Sequence, residues 1–179
     1  MILSHKHQFI FIKTRKTAGT SLEIALSAFC GDTDVITPVD KEDEAARKSL
    51  GFTPAQHYKL PWSAHTIGQK AACIIGKDRK QFYNHISAEE ALTFIPKPTW
   101  DGYFTFCFER NPWDKVLSQY NARGGDGHFG SVMNYLTSGE VARLRGYDMY
   151  SVRRIVAVNQ VYKFEEMDQA LADITERLK

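Results

Sequence analysis

A cluster of cationic and hydroxyl side chains lies between Lys13 and Ser21, in the segment KTRKTAGTS. It follows a short apolar run, Gln8–Lys13, and precedes residues that recur at helical spacing. A loop between a buried strand and a helix N-terminus presents unpaired N–H groups and the positive end of the helix dipole, and both attract anions. Gly19 lets the backbone approach such an anion closely. The pattern therefore predicts a phosphate-binding loop; the alternative is an ordinary strand–helix turn whose cations serve solubility. The predicted binding residues are Arg15, Lys16, Thr17, Ala18, Gly19, Thr20 and Ser21.

The order of residues in this loop differs from that of an ATP-binding P-loop. Such a loop has a glycine at its start and a lysine directly after its last glycine. Here Lys16 comes three positions before Gly19, and no glycine opens the segment. The sequence also shows no apolar strand that ends in an aspartate able to hold magnesium. An ATP-dependent kinase is therefore kept only as an alternative.

A second motif, FERNPWDKVLS, runs from Phe108 to Ser118. Arg110 follows an apolar strand, and Ser118 lies seven residues beyond Asn111, so the hydroxyl falls on the same helical stripe. A guanidinium and a hydroxyl on one stripe can hold one phosphate together. The alternatives are an ion pair between Arg110 and Glu109 and an ordinary surface serine. We also expect the neighbouring tryptophan of this motif, Trp113, to pack under the strand end.

His85 lies between these two motifs, just before a predicted helix whose first residues are Ser87-Ala88-Glu89-Glu90. Imidazole titrates near neutral pH and can take a proton from an attacking hydroxyl group. We therefore interpret His85 as the candidate base, although a single histidine is more often structural. His57 and His65 are reserve candidates.

Taken together, the motifs resemble those of sulfotransferases that use 3′-phosphoadenosine 5′-phosphosulfate (PAPS). The order Lys-Thr-Ala-Gly-Thr-Ser is similar to the family's 5′-phosphosulfate loop, and R-N-P-W-D-K followed by Ser118 is similar to its 3′-phosphate signature. The segment around His85 resembles that of bacterial and Golgi-type carbohydrate sulfotransferases, in which this histidine is the base. Arg15 departs from the pattern, because the family normally has proline there. The resemblance extends from about Phe9 to the C-terminus.

The resemblance implies transfer of a sulfuryl group from PAPS to an acceptor hydroxyl or amine, on a carbohydrate or a small metabolite. His85 would be the base and Lys16 would neutralise the leaving phosphate, with no metal required. The alternatives are an ATP-dependent kinase and a non-catalytic, truncated nucleotide-binding domain. We expect the acceptor to bind at residues 52–80 and at the glycine-rich segment 124–130, since loops commonly line such sites.

The elements that position these residues predict an α/β domain. Apolar runs at Gln8–Lys13, Tyr103–Glu109 and Val161–Phe164 indicate buried strands, and helical patterns follow each of them. We expect one P-loop-like, three-layer domain over residues 1–179, with a central parallel sheet flanked by helices. Related domains usually continue for several tens of residues, so we expect this one to lack their usual C-terminal segment, as a fragment, a truncated form or a compact variant.

The composition is that of an ordinary globular protein. A formal net charge of +2 gives no argument for a nucleic-acid partner, and the three cysteines have no spacing typical of a disulfide framework or a zinc site. The sequence has no apolar run of the ~20 residues that a membrane-spanning helix needs, and no signal-peptide core follows Met1. We therefore expect a cytoplasmic location.

Overall fold

A mixed five-stranded sheet is the centre of the computed structural model, which describes residues 1–60 and 81–179. The strands in these residues are β1 (Ile2–Ser4), β2 (Phe9–Ile12), β3 (Val35–Ile36), β4 (Phe104–Glu109), β5 (Ser151–Val152), β6 (Ile155–Val156) and β7 (Gln160–Lys163). The order in the five-stranded sheet is β3-β1-β2-β4-β7, and β5 and β6 form a separate hairpin.

The three strands predicted from the sequence correspond to β2, β4 and β7, and these pair in parallel. The expectation of an entirely parallel sheet is wrong, because β1 runs antiparallel to both β2 and β3. Only four residues connect β1 to β2, and a connection that short can join strands only as an antiparallel hairpin. The sequence does not indicate β1 because its apolar run is short and polar residues follow from Ser4 onward.

Helices cover the sheet. They are α1 (Gly19–Ser27), α2 (Lys41–Ser49), α3 (Ala88–Ala91), α4 (Lys97–Gly102), α5 (Pro112–Ala122), α6 (Gly125–Phe129), α7 (Val132–Thr137), α8 (Tyr147–Tyr150) and α9 (Met167–Arg177). Asn111-Pro112 in the sequence predicts the start of α5, because asparagine can cap a helix and proline suits its first position. This prediction is confirmed: Pro112 is the first residue of α5, and the Asn111 side chain accepts a hydrogen bond from the Trp113 N–H at 3.0 Å. The glycine-rich segment 124–130 contains α6, whose Phe129 packs against Tyr135. In the described residues, no helix is long and apolar enough to cross a membrane.

The side chains of β2 alternate between two cores and are all buried. Phe9 and Phe11 pack with the apolar faces of α1 and α9, whereas Ile10 and Ile12 pack with α3, α4 and α8. Full burial of each such side chain stabilises the fold by about 1.5–3 kcal/mol. The prediction that this strand is buried on both faces is confirmed.

The carboxyl ends of β2, β4 and β7 meet at one edge of the sheet, because the three strands are parallel. The Thr14 hydroxyl, just beyond β2, donates a hydrogen bond to the carbonyl of Phe108 in β4. This contact brings the loop after β2 against the loop after β4. The two predicted phosphate motifs therefore lie side by side.

Candidate functional site

The loop after β2 turns sharply before α1. Lys16 and Ala18 both have left-handed backbones, with φ of 61° and 54°. Such conformations are uncommon for residues other than glycine, and they concentrate at functional sites. Alternating left-handed and right-handed residues can direct successive N–H groups toward one point and so form a concavity for an anion.

The N-terminus of α1 is not capped by a side chain. The helix begins at Gly19, Ala18 occupies the cap position without a side-chain hydrogen bond, and no acidic residue lies in the first turn. The spacing of Thr20 and Glu23 in the sequence, T-x-x-E, predicts a capping box, and this prediction is wrong. Glu23 is drawn into the protein interior by buried cations, which a local sequence pattern cannot reveal. The N–H groups at the start of α1 remain available to an anion.

Gly19 is required for a reason other than the one the sequence suggested. A Cβ atom at this position would lie 2.7 Å from Cγ of Lys13, whose side chain passes beneath the start of the helix. The glycine therefore accommodates this buried lysine, in addition to any approach to an anion. Lys13 is only 1% exposed and was not among the predicted site residues.

An open cavity of about 210 Å³ joins the loop to the candidate base. It is lined by Lys13, Thr14, Lys16, Ala18, Gly19, Thr20, Ser21 and His85. His85 lies 72 residues from Lys13 in the chain, yet its Nδ1 is 3.1 Å from the Lys13 carbonyl oxygen. The structure thus brings the predicted base and most of the predicted loop residues to one cavity.

The protonation state of His85 follows from its surroundings. A carbonyl oxygen can only accept a hydrogen bond, so Nδ1 carries the hydrogen and Nε2 keeps a lone pair. Burial, together with the charges of Lys13 and Arg15, lowers the pKa of His85 to about 4, although the hydrogen bond to the Lys13 carbonyl opposes this shift. The imidazole is therefore neutral at pH 7, and its unprotonated nitrogen is Nε2.

Arg110 reaches the same loop from the end of β4. Its Nη1 lies 3.4 Å from the Lys16 carbonyl oxygen, and its guanidinium carbon lies 4.5 Å from the centre of the Phe164 ring. Burial and the nearby charge of Arg110 lower the pKa of Lys16. Within residues 1–60 and 81–179, the Nε atoms of Arg15 and Arg110 are shielded from solvent without a hydrogen-bond partner. A bound anion would satisfy donors of this kind.

The alternative role for Arg110, an ion pair with Glu109, is not what the structure has. The Glu109 carboxylate lies 2.5 Å from Nζ of Lys115 and accepts a hydrogen bond from the Arg110 backbone N–H. Lys115, which is buried, faces inward from α5, whereas Trp113 is 72% exposed. The expectation that Trp113 packs under the strand end is therefore wrong, because Lys115 rather than Trp113 faces inward there and pairs with Glu109.

Ser118 is half-buried on α5 and is not brought to the loop cavity. Seven residues of helix place Ser118 about 10 Å along the axis from Asn111, and its predicted pairing with Arg110 on one phosphate stays a prediction. Of the reserve histidines, His57 is exposed and its Nε2 lies 2.8 Å from the Asp32 carbonyl oxygen. His65 and most of the expected acceptor segment lie outside the described residues. In the described part of the chain, no group of three or more histidine, cysteine, aspartate or glutamate side chains could hold a metal ion.

Comparisons with known proteins add little to this geometry. No family model matches the chain, and no solved structure matches it. A stretch of 26 residues is 62% identical to part of an uncharacterized protein from Archaeoglobus fulgidus. The matched stretch makes up 14% of this chain and 22% of that protein. The fold and the site define an α/β protein with a candidate anion-binding cavity that contains a neutral histidine.

Proposed function

We propose that the protein is a PAPS-dependent sulfotransferase with a P-loop-like fold, as the sequence motifs imply. The observation that carries this proposal is the cavity shared by the Lys16 loop and His85, with Arg110 against the loop backbone. An anion-binding loop, a second cationic group and a neutral base are the groups that sulfuryl transfer to a hydroxyl requires.

The size of the cavity supports binding of the phosphosulfate end of the donor. A volume of about 210 Å³ is too small for a whole nucleotide but suits a phosphate and an adjoining sulfuryl group. A further cavity of about 400 Å³ adjoins Arg110 and has an apolar wall that includes Val116, Leu144 and Tyr147. We assign the nucleoside to this second cavity, so that Arg110 lies between the two ends of the donor.

The chain's own residues would carry the reaction as follows. The N-terminus of α1 and the loop N–H groups hold the 5′-phosphate, and Arg110 contacts the 3′-phosphate. Nε2 of His85 takes the acceptor proton while the acceptor oxygen bonds to sulfur and the bond from sulfur to the 5′-phosphate oxygen breaks. Lys16 neutralises the charge that develops on this leaving oxygen, and 3′-phosphoadenosine 5′-phosphate (PAP) is released.

One structural observation, the ion pair between Glu109 and Lys115, makes a kinase the less favoured function. Glu109 ends β4, at the edge of the sheet where a P-loop kinase holds magnesium through an acidic residue. Its carboxylate, however, is paired with Lys115 at 2.5 Å. A carboxylate neutralised in this way is poorly suited to hold a magnesium ion.

The test is calorimetric titration of the purified chain with PAP and, separately, with ATP and magnesium, followed by a radiolabelled PAPS assay against hydroxyl and amine acceptors. PAP binding and label transfer would support the proposal. Binding of ATP with magnesium but not PAP would replace it with a kinase. Binding of neither would favour the non-catalytic alternative, and PAP binding without transfer to any acceptor would reduce the proposal to nucleotide binding alone.

A further inference from the structure

A buried ion pair lies directly beneath the candidate site. Nζ of Lys13 is 3.1 Å from Oε2 of Glu23, and the two side chains are 1% and 0% exposed. Lys13 begins the loop after β2, and Glu23 lies one turn into α1. The pair therefore joins the two ends of the phosphate-binding segment from below.

Lys13 contacts two parts of the site at once. Its carbon chain fills the space under Gly19, where even a Cβ atom would be 2.7 Å away, and its carbonyl oxygen lies 3.1 Å from Nδ1 of His85. Displacement of Lys13 would therefore disturb both the start of α1 and the orientation of the imidazole.

Glu23 is itself held in place from the opposite side. Its Oε1 accepts a hydrogen bond from the Thr37 hydroxyl at 2.8 Å and lies 3.8 Å from Arg47, which is fully buried. Although burial opposes ionisation, the N-terminal ammonium group, 3.2 Å from Oε1, and then Lys13 hold the pKa of Glu23 below its ordinary value. The Glu23 carboxylate is therefore a negative charge held in a fixed place, and Lys13 forms an ion pair with it.

We propose that Glu23 is a positioning residue, which holds Lys13 under Gly19 and thereby sets the loop and the His85 imidazole in one arrangement. A buried ion pair often adds little net stability compared with apolar side chains, so stability alone does not explain its place beneath the cavity. The consequence for catalysis rests on the proposed function, whereas the effect on His85 does not.

The test is an NMR titration of isotope-labelled histidine in the nucleotide-free protein, with the His85 signal assigned through His85→Gln. In Glu23→Gln we expect Lys13 to move and the His85 ring to lose both its burial and its hydrogen bond to the Lys13 carbonyl. The pKa of His85 should then rise from about 4 toward 6.5, because burial is the largest cause of the low value and its loss outweighs that of the hydrogen bond. The electrostatic effect of removing a negative charge has the opposite sign, since it lowers the pKa of a nearby histidine. The direction of the change in the pKa of His85 therefore distinguishes a positioning role of Glu23 from a purely electrostatic one.

Glu44→Gln is the matched control. Glu44 pairs with the same Arg47 at 2.8 Å, from the outer side of the cluster, and makes no contact with Lys13 in the described residues. It should leave the pKa of His85 unchanged. Glu23→Asp keeps the charge but shortens the side chain, so the pKa of His85 should rise less than in Glu23→Gln. This variant replaces Glu23→Gln in the test if Glu23→Gln does not fold.

An unchanged or lower pKa of His85 in folded Glu23→Gln, or in Glu23→Asp if only that variant folds, would overturn the positioning role. A rise of equal size in Glu44→Gln would also overturn it, because the effect would then be general loosening. Titration of the wild-type protein with PAP tests the proposed function separately. Failure to bind PAP would leave the result for Glu23 standing.

Discussion

Nη1 of Arg110 lies 3.4 Å from the backbone carbonyl oxygen of Lys16, although 94 residues separate them in the chain. The contact places two cationic side chains at one edge of the sheet, and the pKa of Lys16 falls because of burial and of this neighbouring charge. Keeping two like charges close costs free energy unless an anion lies between them. Such a pair suits a group with more than one negative charge, as the proposed donor is.

Arg110→Ala should weaken PAP binding about 10–100-fold, which corresponds to the loss of a charge-assisted hydrogen bond. Calorimetric titration at fixed salt measures the change. Arg143→Ala is the control, because Arg143 is 68% exposed and pairs with Glu140. Equal weakening in both variants would show that Arg110 contributes only general positive charge.

Lys16→Ala should lower turnover about 10²–10³-fold while weakening PAP binding less than about tenfold, because the charge on the leaving oxygen develops mainly in the transition state. Steady-state rates with saturating PAPS, compared with PAP dissociation constants, separate the two effects. Lys97→Ala, at an 81% exposed lysine, is the control. Equal losses in turnover and binding would contradict the leaving-group role.

Gly19→Ala should destabilise the fold by about 1–3 kcal/mol, because the new methyl group would collide with the Lys13 side chain. Gly127 in α6 is the matched control, since a Cβ atom there meets nothing within 4 Å. Gly127→Ala should stabilise the protein by about 0.5–1 kcal/mol through its effect on the unfolded chain. Urea unfolding measures both, and changes of the same sign would refute the close contact beneath Gly19.

His85 should make the protein less stable in mild acid. Its pKa is about 4 in the folded state against 6.5 ordinarily, so as the pH falls from about 6.5 to about 4 the unfolded chain binds a proton that the folded chain does not. The free energy of unfolding should drop by up to about 3 kcal/mol over this range from His85 alone.

The check is urea unfolding at pH 7 and pH 4.5. His85→Gln should lose markedly less stability between these two values than the wild type, whereas His57→Gln, at an exposed histidine, should follow the wild type. If His85→Gln and the wild type lose the same amount, then the imidazole titrates normally and is not buried as described.

Features that depend on neighbours in the chain were predictable from the sequence. The apolar runs of β2, β4 and β7 and the start of α5 at Asn111-Pro112 rest on local patterns and on hydrogen bonds between residues a few positions apart. The parallel arrangement of these three strands also explains why two distant motifs, each of which follows a strand, meet at one edge of the sheet.

Features that depend on tertiary contacts were missed. Nothing near Glu23 in the sequence shows that Lys13 and Arg47 will surround it, so a capping role was the natural reading. The sequence predicts that Trp113 packs under the strand end, yet Trp113 is exposed and Lys115 is the buried residue there, where it neutralises Glu109.

The sequence by itself determined which residues could bind an anion and roughly where the strands and helices that carry them begin, because residue type and local spacing set both. Only the tertiary structure decided that Lys13 lies beneath Gly19, that its carbonyl oxygen sets the tautomer of His85, and that Ser118 stays away from the loop cavity. Those outcomes depend on how strands separated by more than ninety residues align and on which charges become buried together, and a local pattern carries no information about either.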